Sequence, residues 1–206
     1  MSNYLAIATV TAALRDILQE AATAAVPSAT VTLKRPDHAN AENADKASIN
    51  LYLYQVIPNT TWRNADLPTR SFDGRLLQRP QIALDLYYLL SFYGSELEIE
   101  PQRLLGNAAL ALHTQPMLQA DTIQQAIGNT SFLTQSDLFK QVELVKFHAL
   151  NMSLEELAKL WSVFFQVPYT LSIAYCASAI LIDADITPIE VLPVLTRNIH
   201  VQPEVK

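Results

Sequence analysis

The residues able to do chemistry are scattered along the chain rather than grouped. His38, His113, His148 and His200 are the four histidines in 206 residues. They lie in four different segments, and none has a metal-ligand partner three or four positions away, so no metal site is written locally. Asp183 and Asp185 form a D-x-D after an apolar run. Such a pair holds a divalent ion only with further oxygen ligands, which the sequence does not name, and its plainer reading is a solvated strand exit. Cys176 is the single cysteine, which leaves no intrachain disulfide and no cysteine-rich zinc site. It sits in apolar company, where burial raises a thiol's pKa and works against nucleophilic attack. No G-x-S-x-G elbow, no G-x-x-x-x-G-K-[ST] and no G-x-G-x-x-G occurs. The expectation is a protein with no catalytic residue, no metal and no cofactor. The enzyme alternative is a small hydrolase whose site, for instance Asp183, Asp185 and a histidine, assembles only in three dimensions.

One charged group stands out. Arg63, Arg70, Arg75 and Arg79 fall within a stretch otherwise rich in turn residues. Against a formal charge of −6 and a pI near 5.1 they make no footprint for nucleic acid or an anionic membrane. They fit ion pairs with a protein partner, or with Asp66 and Asp73 nearby, and are the candidate partner interface. Tyr52, Tyr54, Tyr87 and Tyr93 share the sheet face opposite the aliphatic residues, suited either to burial under a second helical layer or to an interface.

The elements that must position these residues are read from periodicity. Residues 3–25 carry Ile7, Val10, Leu14, Ile17, Leu18, Ala21 and Ala25 in one helical stripe, with Ser2 or Asn3 as cap and Pro27 as stop. A short strand over 31–35 and an exposed loop over 36–46, with no large apolar residue to bury, follow. Residues 49–57 alternate, placing Ile49, Leu51, Leu53 and Ile57 on one face. Residues 82–93 are the clearest strand, with Ile82, Leu84, Leu86, Tyr88, Leu90 and Phe92 facing one way. Pro101 opens a helix to about His113. Residues 116–140 are unreadable, and 142–150 look like a strand. Ser153 and Glu156 form a capping box, with Met152 and Leu157 as a staple. The helix they start carries Leu154, Leu157, Ala158, Trp161, Phe164 and Phe165 on one face, and Pro168 breaks it. Residues 170–182 form a long apolar strand with several small side chains.

This order predicts an α+β fold, a mixed or antiparallel sheet flanked by helices. The chain is long enough for one core but tight for two, so a single domain is expected. The N-terminal residues lack a basic region before an apolar one, and no run of about 18 uninterrupted apolar residues is present, so synthesis and folding in the cytoplasm are expected.

Several blocks together resemble the cap, or tail-terminator, family of extracellular contractile injection systems, the antifeeding-prophage-like particles. They are Asn50-Leu51-Tyr52-Leu53-Tyr54-Gln55-Val56, Asn59 with Arg63-Asn64, and Pro80-Gln81-Ile82-Ala83-Leu84-Asp85-Leu86-Tyr87-Tyr88-Leu89-Leu90. Then come Phe92-Tyr93-Gly94, Leu104-Leu105-Gly106, Leu112-His113, Ser153-Leu154-Glu155-Glu156-Leu157, Lys159-Leu160-Trp161, Pro168-Tyr169, Ala174-Tyr175 and Ile180-Leu181-Ile182-Asp183. Their order and spacing carry the match more than any single block, and their span implies one cap-like domain over 1–195 and a short tail, 196–206. Cys176 stands where an acidic residue is expected, and relatives can carry a longer C-terminal extension. The resemblance implies a phage tail-terminator-like fold and a ring, of six subunits, at the distal end of a tail. It implies sheath and inner tube proteins as partners, growth stopped at that end, and a particle that leaves the cell. A baseplate or adaptor ring subunit of the same kind of particle is the alternative.

Overall fold

The computed structural model describes residues 2–37, 46–62, 80–141, 143–165 and 167–185. The first helix, α1, runs Ala6–Ala25 and buries Val10, Leu14, Ile17, Leu18 and Ala21, the stripe its periodicity marks. The valine, leucine and isoleucine side chains among these each contribute on the order of 1.5–3 kcal/mol when fully removed from water. Asn3 lies three residues before the helix, outside the cap position. Its Oδ1 accepts the Leu5 N–H at 3.0 Å and its carbonyl accepts the Ala6 N–H at 3.0 Å, which sets the entry turn. The helix stops two residues before Pro27, with the Val26 N–H still donating to Ala22 O.

Five strands among the described residues form one mixed sheet: β1 (Thr30–Thr32), β2 (Ser48–Pro58), β3 (Gln81–Tyr93), β4 (Lys146–Ala149) and β5 (Ser172–Asp183), in the order β1-β2-β3-β5-β4. Only β1 with β2 is parallel; the other pairs are antiparallel. The α+β expectation holds. Between β3 and β4 lie α2 (Glu100–Thr114), α3 (Ala120–Asn129) and two 3₁₀ turns, Ser131–Leu133 and Leu138–Lys140. Helix α3 and the turns fill the stretch that periodicity could not read, because Ile123 and Ala126 are the only residues α3 buries. The last helix, α4, covers Leu154–Ser162.

The main core lies between α1, α2, α3 and one face of the sheet. Leu86, Tyr88, Leu90 and Phe92 of β3 point into it, as the alternation requires, beside Ile49, Leu51, Tyr175 and Ala177. The buried Tyr88 hydroxyl shares a hydrogen bond of 2.8 Å with Thr11 of α1, so this phenol is satisfied inside the layer.

Three local readings need correction. The β2 register slips by one between Leu53 and Gln55, which makes Tyr54 an extra residue. Ile57 therefore pairs with Asp85, not with a core residue, and leaves the face of Ile49, Leu51 and Leu53. On α4 the buried stripe is Trp161 and Phe164 with Leu157 and Leu160 packed alongside. Leu154 and Phe165 are 77% and 82% exposed, and Ala158 is exposed too. The helix ends at Ser162, six residues before Pro168, so Phe165 is no longer on a helical face. Of the exposed loop expected over 36–46, residues 38–45 lie outside the described residues, while Pro36 is buried.

Candidate partner interface

Among the described residues, the second face of the sheet has only a light cover. Leu89, Trp161 and Phe164 make a small cluster there, with Tyr52 and Tyr54 packed against it. The Tyr52 and Phe164 rings meet edge to face at 5.5 Å, and Tyr54 and Tyr87 at 6.2 Å. These tyrosines thus lie opposite the aliphatic core, and among the described residues a single helix with its following loop supplies the cover. Helix α4 is locked by its capping box: Ser153 Oγ accepts the Glu156 N–H at 3.2 Å, and Glu156 Oε2 accepts the Ser153 N–H at 2.8 Å.

The sheet edges differ in how far their backbone groups are satisfied. On the β4 side, the Phe147 N–H donates to Pro116 O at 2.7 Å and the Leu118 N–H to Val145 O at 2.8 Å. Past β4, Gln141 clips β5: its Nε2 donates to Ala179 O at 2.7 Å and its Oε1 accepts the Leu181 N–H at 3.0 Å. Ala179 has φ 66 at an irregularity in the β3–β5 register, so the side chain of Gln141 satisfies backbone that no regular strand could. The Asp183 N–H donates to Ser2 O at 2.8 Å. On the opposite side, β1 covers only Ser48–Asn50 of β2. From Leu51 to Pro58 the outer edge of β2 has no strand partner among the described residues, and Val56 and Ile57 are exposed along it.

Arg63, Arg70, Arg75 and Arg79 lie outside the described residues. The backbone from which their segment departs is fixed at the far end of β2. Asn59 Oδ1 accepts the N–H groups of Thr61 and Trp62 at 2.9 and 3.1 Å, and Asn59 Nδ2 donates to Asp85 Oδ1 at 2.8 Å. The same Asp85 oxygen accepts the Ala179 N–H at 3.2 Å, so one carboxylate ties the exit of β2 to β5 across β3. Asp85 and Gln141 are the positioning residues that sequence reasoning passed over. A lone carboxylate facing out of a clear strand was the only signal for the first, and nothing marked the second.

The chemistry-bearing residues do not converge. His113 sits in the last turn of α2 and His148 on β4, while His38 and His200 lie outside the described residues. Asp183 accepts a hydrogen bond from Gln81 Nε2, and Asp185 is exposed beyond the strand. Among the described residues no three His, Cys, Asp or Glu side chains are grouped to hold a metal ion. Burial pushes the Cys176 thiol up to about 11, with the Asp85 carboxylate adding to the effect. No described helix is long and apolar enough to cross a membrane.

The sequence matches the Pvc16 N-terminal domain family over residues 9–196. No curated protein matches it in a sequence search. Among solved structures, the fold is similar to the sheath/tube terminator of PVC, an extracellular contractile injection system, in its extended state. That likeness has 13% identity and a TM-score of 0.53, covering 93% of this chain and 64% of that one. The anti-feeding prophage cap, a tube-terminating cap, is similar at 18% identity and a TM-score of 0.56, covering 90% of this chain and 59% of that one. The chain thus spans less than two thirds of the length of either, and at these identities the likeness is one of fold.

Proposed function

The chain belongs to the Pvc16 N-terminal domain family, and from that premise we propose that it is a structural cap subunit, a tail terminator, of a contractile injection system. The observation that carries this reading is the family match over residues 9–196, nearly the whole chain, and the likeness in fold to two terminators agrees with it. In this role the chain assembles with copies of itself into a ring of six on the distal end of the tail. The ring ends growth of the inner tube and sheath and holds the two together until contraction. It is made in the cytoplasm and leaves with the particle. The work is binding without turnover, and it uses no cofactor, metal, nucleic acid or membrane.

The edges suggest how one partner is held. Strand addition supplies backbone hydrogen bonds without demanding a particular sequence. The outer edge of β2 from Leu51 to Pro58 is the place for an incoming strand of the terminal sheath subunit. Arg63, Arg70, Arg75 and Arg79, which follow this strand in the chain, set electrostatic register with an acidic partner. The ring itself closes on the tail end, whose geometry supplies the rotation per subunit, so the free chain is monomeric or weakly associated.

The test is to image intact particles carrying this chain with a small tag and to compare them with particles made without it. Tag density at the end opposite the baseplate, and overlong or ragged tails in its absence, are expected. Tag density at the baseplate, or unchanged tails without the chain, rejects the reading.

A further inference from the structure

The link between β3 and α2, Gly94 to Ile99, is built more firmly than its surface position requires. Glu100 Oε2 accepts the Ser95 N–H at 2.8 Å, and the Glu100 N–H donates to Ser95 O at 3.1 Å, a reciprocal clasp across the loop. The Ile99 N–H donates to Glu96 O at 3.2 Å inside it. Gly94 has φ +146, and a Cβ there would stand 2.7 Å from Glu100 Oε2, so only glycine lets the clasp close. Ile99 sits at φ 54 and ψ 32, a left-handed conformation that a β-branched residue seldom adopts.

This clasped loop holds apolar side chains out in water. Leu97 is 97% exposed and Ile99 55%, and Leu97 stands between the exposed carboxylates of Glu96 and Glu98. Beside the loop opens a cleft of about 590 Å³ whose lining includes Tyr93, Glu96, Gln102 and Tyr169. An apolar side chain held in place in water, as Leu97 is, makes a preorganised anchor and saves the cost of ordering on binding.

Resting on the terminator reading, we propose that the loop from Gly94 to Ile99 is the knob by which this chain seats on the end of the inner tube, with Leu97 as its anchor. The partner it fits is a protein socket, apolar at its base and rimmed with lysine or arginine to meet Glu96 and Glu98. A phosphate backbone or an anionic lipid surface would meet those carboxylates with like charge. A second copy fits poorly, because the hollow between α1 and α2 mixes Ile17, Ala21, Leu110 and Ala111 with Glu20, Asn107, Thr114 and Gln115, and is no apolar socket with a basic rim. The tube is preferred over the sheath because the two terminators named above both end a tube, and one of them a sheath as well.

The experiment titrates the full chain onto tubes preassembled from the tube protein of its own particle, read by co-sedimentation across a range of salt. Leu97→Ser is expected to weaken tube binding at least about tenfold. Glu96→Lys with Glu98→Lys is expected to weaken it and to flatten its salt dependence. Both variants change exposed groups and should melt within about two degrees of the parent chain. The assignment is overturned if the parent chain binds tubes and both variants bind equally well. It is equally overturned if the losses appear toward purified sheath, or in self-association, while tube binding stays intact. A parent chain that does not bind tubes at all removes the terminator reading along with it.

Discussion

The indole Nε1 of Trp161 donates to Ser172 Oγ at 3.0 Å, which ties α4 to the first residue of β5 and fixes the second layer on the sheet. Around it, the Trp161 ring meets Phe164 and Tyr169 edge to face at 5.9 and 5.8 Å.

Trp161→Ala removes both the ring contacts and the hydrogen bond. It should cost about 3–5 kcal/mol, the range for a large aromatic taken out of a packed site. Trp161→Phe keeps part of the packing and should cost less. Equilibrium denaturation checks both, and a loss below about 1 kcal/mol for the alanine variant would mean that this layer is not held by Trp161.

The Ser153 backbone N–H, and after it the Ser153 hydroxyl, hold the Glu156 carboxyl below the usual glutamate range. The unfolded chain then binds the proton more readily than the folded one. The stabilisation is present above the ordinary glutamate pKa and is lost as pH falls through the lowered folded value. Ser153→Ala should cost about 1 kcal/mol at neutral pH, as for other lost helix caps. It should also shrink the acid-side loss. Urea titrations at several pH values show whether the two chains converge in acid.

Cys176 works on the alkaline side. Its ordinary value is 9.0 and burial lifts it to about 11. The folded protein keeps the proton in that window while the unfolded chain releases it, so stability is intact below about pH 9 and falls towards pH 11. Cys176→Ala should remove part of this fall. Burial also raises Tyr88, which leaves a residual alkaline loss in the variant. In the parent chain, alkylation of the thiol should track unfolding in denaturant. Rapid labelling of the native protein at neutral pH would contradict a thiol that is 2% exposed.

Arg75→Glu with Arg79→Glu should leave the isolated chain folded, as charge reversals within a polar, turn-rich stretch of sequence usually do. Particles assembled with it should have tails that are overlong, uncapped or unstable. Tail-length distributions by electron microscopy decide the matter, and normal, uniform lengths would remove these arginines from the interface.

How much of this was legible depends on how each element stabilises itself. Helix α1 and strand β3 show in the sequence because their burial repeats over many residues, from Val10 to Ala21 and from Leu86 to Phe92. The capping box of α4 shows because Ser153 and Glu156 act within one turn. Helix α3 does not, since two buried residues make no period. Nor does the slip at Tyr54, because a register is set by both strands and only one is visible at a time. The site is less legible still. An open strand edge is defined by what fails to pair with it. The reach of Gln141 to Ala179 spans 38 residues that no local pattern connects. The four arginines were visible as a cluster but not as a surface.

The open edge of β2 has a further consequence, for storage. A strand edge that no described strand covers invites another copy to zip onto it, and in the proposed role the chain has to wait until a tail has finished growing. The extra residue at Tyr54 cuts the eight-residue edge into two short stretches that a straight strand cannot span in one register. Pro58 closes the second stretch without an N–H to offer. Two identical kinked edges make poor mates, whereas a flexible guest can bend to the kink. In the proposed role, the irregularity that spoiled the alternation therefore works against premature pairing between copies.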